Sequence, residues 1–200
     1  LWSDHGWQLG EKEHWRKFAL WENVVRTNLI IYVPEHLRGF INLPDRGPCD
    51  RIVSLQDIYP TLIDLCGLRP RDDIDGRSLV PLLKDTYTEW DYPAITSYDY
   101  GEFSVRTERW RYTIYIDGSE ELYDHDNDPE EWLNLAKKKG YEETLQKMRS
   151  YVPSDPAPLV KTNMKLMPYQ TPPFASKDEY QYWIDNGKSY PKLIEKYWNK

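Results

Sequence analysis

The run Leu29-Ile30-Ile31-Tyr32-Val33, closed by Pro34, narrows most sharply what this chain can become. A half-buried strand alternates apolar and polar residues, because successive side chains point to opposite faces. Here the apolar residues are nearly continuous, which requires cover on both faces and so a strand inside a helix-flanked, mostly parallel sheet. Pro34 has no N–H for the ladder and stops it. The expectation is an α/β chain with a buried strand over residues 24–34. With 200 residues at 40% hydrophobic composition, there is enough apolar side chain for one core and an appendage.

Leu1-Trp2-Ser3 has no initiator Met and reads as the end of another buried strand running into a Gly-punctuated polar loop. An α/β domain opens with a strand and its crossover, so a longer polypeptide is expected to precede Leu1. Further on, Leu55, Ile58, Leu62, Leu65 and Cys66 recur at helical spacing behind a capping-box pair, Ser54 and Asp57, and Gly67 ends that helix. Pro60 predicts a bend in it. A short apolar piece over residues 76–83 leads to a first boundary near Trp90.

Residues 103–116 read as one strand with Trp110, Tyr112, Ile114 and Ile116 on a face, turned by Asp117-Gly118 into Glu121-Leu122-Tyr123. Helices are expected over residues 129–136 and 141–151, the second presenting Leu145 and Met148 to the sheet. Three units follow: 1–90 as the end of an α/β domain, 91–152 as a small α+β subdomain, and 153–200 as an extended Pro- and aromatic-rich tail. Within the tail, Ser176 with Glu179 and Pro191 mark the starts of two short helices.

A net charge of -7 leaves no excess of Lys and Arg to neutralise phosphates, which argues against a nucleic-acid binder. No apolar run has the length of a membrane span. Cys49 and Cys66 form no C-x-x-C pattern and are too few for a disulfide scaffold. Nine Trp and sixteen Tyr suit a surface that meets sugars or proteins, although a core and its rim would use them equally.

The chemistry gathers at the opening run Ser3-Asp4-His5-Gly6-Trp7-Gln8-Leu9-Gly10-Glu11. Neighbouring strand residues can converge only where the strand ends and bends, and Gly6 permits that bend. In open parallel sheets ligands gather at this carboxyl end, and a carboxylate beside an imidazole invites a metal. Asp4 is a hard oxygen ligand suited to calcium or magnesium and His5 a nitrogen more usual on zinc or iron, so the pair alone leaves the metal open. A turn or helix cap is the competing reading of the same dipeptide. Lys17 reads equally as a solvated surface lysine, and His14 as a loop histidine.

The order of motifs decides between these. Ser3-Asp4-His5-Gly6-x-x-Leu9-Gly10-Glu11, then Trp15-x-Lys17 and Arg26-Thr27-x-Leu29-Ile30-Ile31-Tyr32-x-Pro34, resembles the C-terminal metal segment of type I, formylglycine-dependent sulfatases, most closely the iduronate-2-sulfatase-like branch. Asp57-Ile58-Tyr59-Pro60-Thr61-Leu62 with Asp75-Gly76-Arg77-Ser78 is similar to the family's following helix and loop. Val105-Arg106-Thr107-x-Arg109-Trp110-Arg111-Tyr112 and Glu121-Leu122-Tyr123-Asp124-His125 resemble its C-terminal subdomain.

The resemblance implies the C-terminal part of an alkaline-phosphatase-like α/β sulfatase fold, acting on a sulfated carbohydrate. It implies Asp4 and His5 as ligands of a Ca2+ site completed by the N-terminal part of the same sulfatase. Lys17 matches the lysine that contacts the sulfate, and His14 stands as a second catalytic candidate at a variable position. The family's nucleophile motif, Cys/Ser-x-Pro-x-Arg, is absent: Cys49 precedes Asp50-Arg51-Ile52 and Cys66 precedes Gly67-Leu68-Arg69. The formylglycine is therefore expected on the N-terminal part, and the 200 residues alone are expected to be inactive. Arg106, Arg109 and Arg111 are expected in salt bridges, His125 in a structural role and His36 at the surface. Export to a periplasm, the outside or a lysosome follows from the resemblance alone. A phosphomonoester or phosphonate hydrolase of the same superfamily, and a non-catalytic module binding sulfated glycans, are the alternatives.

Overall fold

A computed structural model describes residues 1–41, 43 and 47–156; the two expected tail helices lie outside the described residues. The chain opens with a two-residue pairing, β1 (Gln8–Leu9) against β2 (Trp15–Arg16), antiparallel and joined by a tight turn. Short helices follow: α1 (Glu22–Val25), α2 (Glu35–Ile41), α3 (Ile58–Leu65) and α4 (Val80–Lys84). Then comes a four-stranded antiparallel meander of β3 (Ala94–Ser97), β4 (Phe103–Arg106), β5 (Trp110–Ile114) and β6 (Glu120–Asp124). Helix α5 (Glu142–Arg149) closes the described chain.

One face of the meander carries the main core. Val105, Tyr112 and Leu122 are buried in register across β4, β5 and β6, and Leu145 and Met148 of α5 cover them, as the spacing of those two residues predicts. The turn at Asp117-Gly118 forms as expected: Gly118 has φ 80° and the Ser119 N–H donates to the Asp117 carboxylate at 2.8 Å. The opposite face is polar yet equally buried, with Ser104, Arg111 and Thr113 shielded from water. Leu20 and Glu22 lie against it, since Arg111 reaches both.

Four expectations need correcting. Residues 24–34 do not form a buried strand: Val24 and Val25 are in α1, and beyond them a single antiparallel bridge joins Leu29 to Trp2. Ile30 and Tyr32 are exposed: Leu1 exchanges hydrogen bonds with Ile30 and Ser3 donates to Asn28, but among the described residues no named strand pairs with this segment. The strand expected over 103–116 is two strands, split where Trp110 N–H donates to the Thr107 hydroxyl at 3.1 Å and turns the chain.

Residues 129–136 make turns rather than a helix. Both oxygens of Asp128 accept backbone N–H groups, from Trp132 at 3.0 Å and Leu133 at 2.7 Å, and Asn134 accepts from Leu122 and Ala136. These short polar side chains offer the backbone partners that a helix would otherwise provide. In α3 the capping box of Ser54 and Asp57 is present, but Pro60 falls in the first turn, where no N–H is needed, after a 3-10 turn at Leu55–Asp57. The buried residues there are Thr61 and Ile63, whereas Leu62, expected inside, is exposed.

Candidate active site

Gly6 sets the geometry of the opening loop. Its N–H donates to the Val24 carbonyl at 2.6 Å and the next N–H, of Trp7, to the Asn23 carbonyl at 2.9 Å, so the loop lies flat on α1. A Cβ at position 6 would stand 2.0 Å from the Asn23 oxygen, and only glycine allows this approach.

That clamp presents Asp4 and His5 together, with Lys17 brought back beside them by the β1–β2 turn. His5 Nδ1 is 2.7 Å from the Gly6 carbonyl. A carbonyl only accepts, so Nδ1 carries the proton and Nε2 keeps its lone pair. Lys17 Nζ lies 3.0 Å from Nε2 and Asp4 Oδ2 lies 3.4 Å from it. One nitrogen lone pair, one largely exposed carboxylate and one ammonium thus meet at a point. Asp4 and His5 offer donors of the kinds that a divalent cation takes, and being only two they form part of a site rather than a whole one.

His14 is not brought to this point. Its ring stands edge-on to Trp21 at 5.7 Å, and its Nε2 is buried with no hydrogen-bond partner. Its neighbour Lys12, whose backbone has φ 53°, reaches Tyr123 Oη at 3.1 Å and lies over the rings of Tyr123 and Trp21. Burial lowers the Lys12 ammonium below its ordinary value, against the pull of Glu121 and Glu131. Lys12 therefore pins the β1–β2 turn to β6 and is a residue that composition and spacing did not single out.

Behind the site runs a buried charge network. Arg111, 2% exposed, contacts Glu22 and stands 2.5 Å from Glu131, an ion pair without linear hydrogen-bond geometry at Nε. Arg106 pairs with Glu22 at 3.3 Å and donates to His125 Nδ1 at 3.0 Å, which leaves the imidazole proton on Nε2, facing Glu131 at 2.9 Å. Burial raises the Glu22 carboxyl, but Arg111 and Arg106 outweigh it and hold the group below its ordinary value. Atoms of Glu22, His125 and Glu131 lie within 4.8 Å of one another. Two guanidiniums already balance the two carboxylates, so the cluster is read as a structural network rather than a cation site. The salt-bridge roles expected for Arg106 and Arg111, and the structural role of His125, are thus found. Arg109 pairs with Asp124 at 2.7 Å, and His36 is exposed as expected.

The Glu22 N–H donates to Glu131 at 2.9 Å, linking the network through α1 to the carbonyls that hold Gly6 and Trp7. Asp4, His5 and Lys17 open into a cavity of about 1810 Å³, with Glu22, Arg106 and Arg111 in one wall and Leu29, Ile31 and Leu82 in another. Small-molecule sites run to about 1,000 Å³, so this space exceeds what one small ligand fills.

The chain matches the family described as N-sulphoglucosamine sulphohydrolase, C-terminal, over residues 10–154. A sulfatase of Formosa agariphila is 36% identical over 176 residues, covering 84% of this chain and 32% of the relative. Human arylsulfatase K is 30% identical over 151 residues, covering 68% of this chain and 27% of that protein. Among solved structures, BT4656 in complex with its substrate D-glucosamine-2-N,6-O-disulfate superposes with a TM-score of 0.60 at 25% identity, over 74% of this chain and 32% of that one. The chain thus spans about a third of the length of the curated relatives it matches. On this shared sequence and fold, the chain belongs to the sulfatase family and corresponds to its C-terminal portion.

Proposed function

We propose that this chain is the C-terminal part of an exported enzyme that hydrolyses sulfate esters on a sulfated carbohydrate. The observation that carries the reading is the meeting of Asp4, His5 and Lys17 at one mouth of the large cavity. Asp4 and His5 would hold one side of a divalent cation site, with calcium the metal that the family resemblance implies. Such a cation, when bound, supplies positive charge opposite the sulfate oxygens.

The chain's own groups have definable tasks. The Gly6 carbonyl keeps the His5 proton on Nδ1, so Nε2 faces the site as a lone pair. Lys17 carries an ammonium to the same point, where it stabilises negative charge on a sulfate or on the departing oxygen. The nucleophile, a formylglycine, and the remaining ligands are assigned to the N-terminal part, which would also cover the apolar wall of the cavity. His14, half-buried with its ring edge-on to Trp21, is assigned to supporting the loop.

The test is sulfate release by the full-length protein from a sulfated disaccharide and from the matching phosphate ester. Asp4→Ala and Lys17→Ala should each lower kcat/KM by more than about a hundredfold, with the fold retained. Preference for the phosphate ester, or unchanged turnover in both variants, would overturn the reading.

A further inference from the structure

A second cavity, of about 770 Å³, adjoins the first. The two cavities share residues 52–54, Gln56, Ile95, Ser97 and Tyr98 in their walls. An aromatic sequence joins them: the Phe18 ring lies 6.2 Å from Tyr98, and past Tyr98 the second cavity is lined by Tyr100, Tyr92 and Trp90. These rings are held in place. Trp90 Nε1 donates to the Ile52 carbonyl at 3.0 Å, Trp90 and Tyr92 meet edge to face at 5.1 Å, and Arg77 stacks on Tyr92 at 4.2 Å. Tyr92 is nonetheless 46% exposed.

The charge of this second cavity is opposite to what a sulfate needs. Among the described residues, Asp57, Asp75 and Asp155 line it with one guanidinium, that of Arg77, which is already stacked. Fixed aromatic faces suit the apolar faces of sugar rings, and carboxylates accept hydrogen bonds from sugar hydroxyls. A sulfated unit would meet like charge there.

We infer that the second cavity binds uncharged sugar units of a longer glycan whose sulfated unit sits at Lys17, so that the enzyme takes an oligosaccharide rather than a single sulfated sugar. This rests on the proposed function for the placement of the sulfated unit, but the second cavity itself can be tested separately.

The full-length protein is compared on a sulfated monosaccharide and on an oligosaccharide carrying the same sulfated unit followed by unsulfated ones. Tyr92→Ala should raise KM for the oligosaccharide about tenfold while leaving kcat, and both constants for the monosaccharide, unchanged. Asp75→Lys, an exposed change, is the second variant and should weaken the same substrate selectively. Calorimetry with the unsulfated oligosaccharide should show binding that survives Lys17→Ala and is lost in Tyr92→Ala. Equal KM for the two parental substrates, or no binding of the unsulfated oligosaccharide, would overturn the inference. If that binding persists while no sulfate ester is turned over, the proposed function fails and the second cavity stands.

Discussion

At the scale of single residues, Gly6 and Asp124 show how local chemistry constrains the molecule. The Cβ of Gly6→Ala would meet backbone, not the end of a flexible side chain, so α1 and the Asp4–His5 loop must part. We expect a stability loss of about 1–3 kcal/mol, read as a lower urea midpoint, together with reduced turnover in the full-length protein. Asp124 accepts two hydrogen bonds from Arg109, which hold its carboxyl at about 2, below an ordinary value of 3.8. A depressed folded value means that the stabilisation is complete above about pH 4 and disappears as pH falls from 4 towards 2. Melting temperatures followed over that window should fall less steeply in Asp124→Asn than in the parent. The special role of Gly6 was legible in the sequence as a bend after Asp4-His5; the role of Lys12 was not, since its partners Trp21 and Tyr123 are 9 and 111 positions away.

At the scale of elements, the polar face of the meander is where two parts of the chain meet. Arg111 of β5 lies between Glu22 of α1 and Glu131 of the turn after β6, and each carboxylate holds a second cation or donor. Removing one member leaves an uncompensated charge away from water. Glu131→Ala should therefore cost about 3–5 kcal/mol in equilibrium unfolding, whereas Arg71→Ala, an exposed pair with Asp73, should leave the midpoint unmoved. Equal effects of the two substitutions would refute the role given to the network. Alternation along β5 named the apolar side, Tyr112 and Ile114, correctly. It could not say that the other side is buried too, because a buried Arg reads like an exposed one until its partners, some 20 and 89 positions away, are known.

At the scale of the whole molecule, the exposed Ile30 and Tyr32 stand with Leu29 and Ile31 among the apolar residues that line part of the large cavity. Contiguous apolar surface of this kind marks an interface. The 200-residue chain expressed alone should bind a hydrophobic dye such as ANS, and co-expression with the N-terminal part of the sulfatase should abolish most of that signal. Dye binding that is unchanged by co-expression would show that the region meets something else. The continuous apolarity of residues 29–33 reads as a buried strand, but within the described residues the segment is partly exposed and forms a single bridge, from Leu29 to Trp2. By itself, the sequence determined the ordered motifs, the helix cap at Ser54, the turn at Asp117-Gly118 and the covering face of α5, because each depends on neighbours within a few residues. Only the tertiary structure decided that Asp4, His5 and Lys17 converge while His14 turns to Trp21, that residues 129–136 refuse a helix, and that Tyr98 joins two cavities of opposite chemical character. Those outcomes rest on contacts between distant parts of the chain, which spacing along the sequence does not encode.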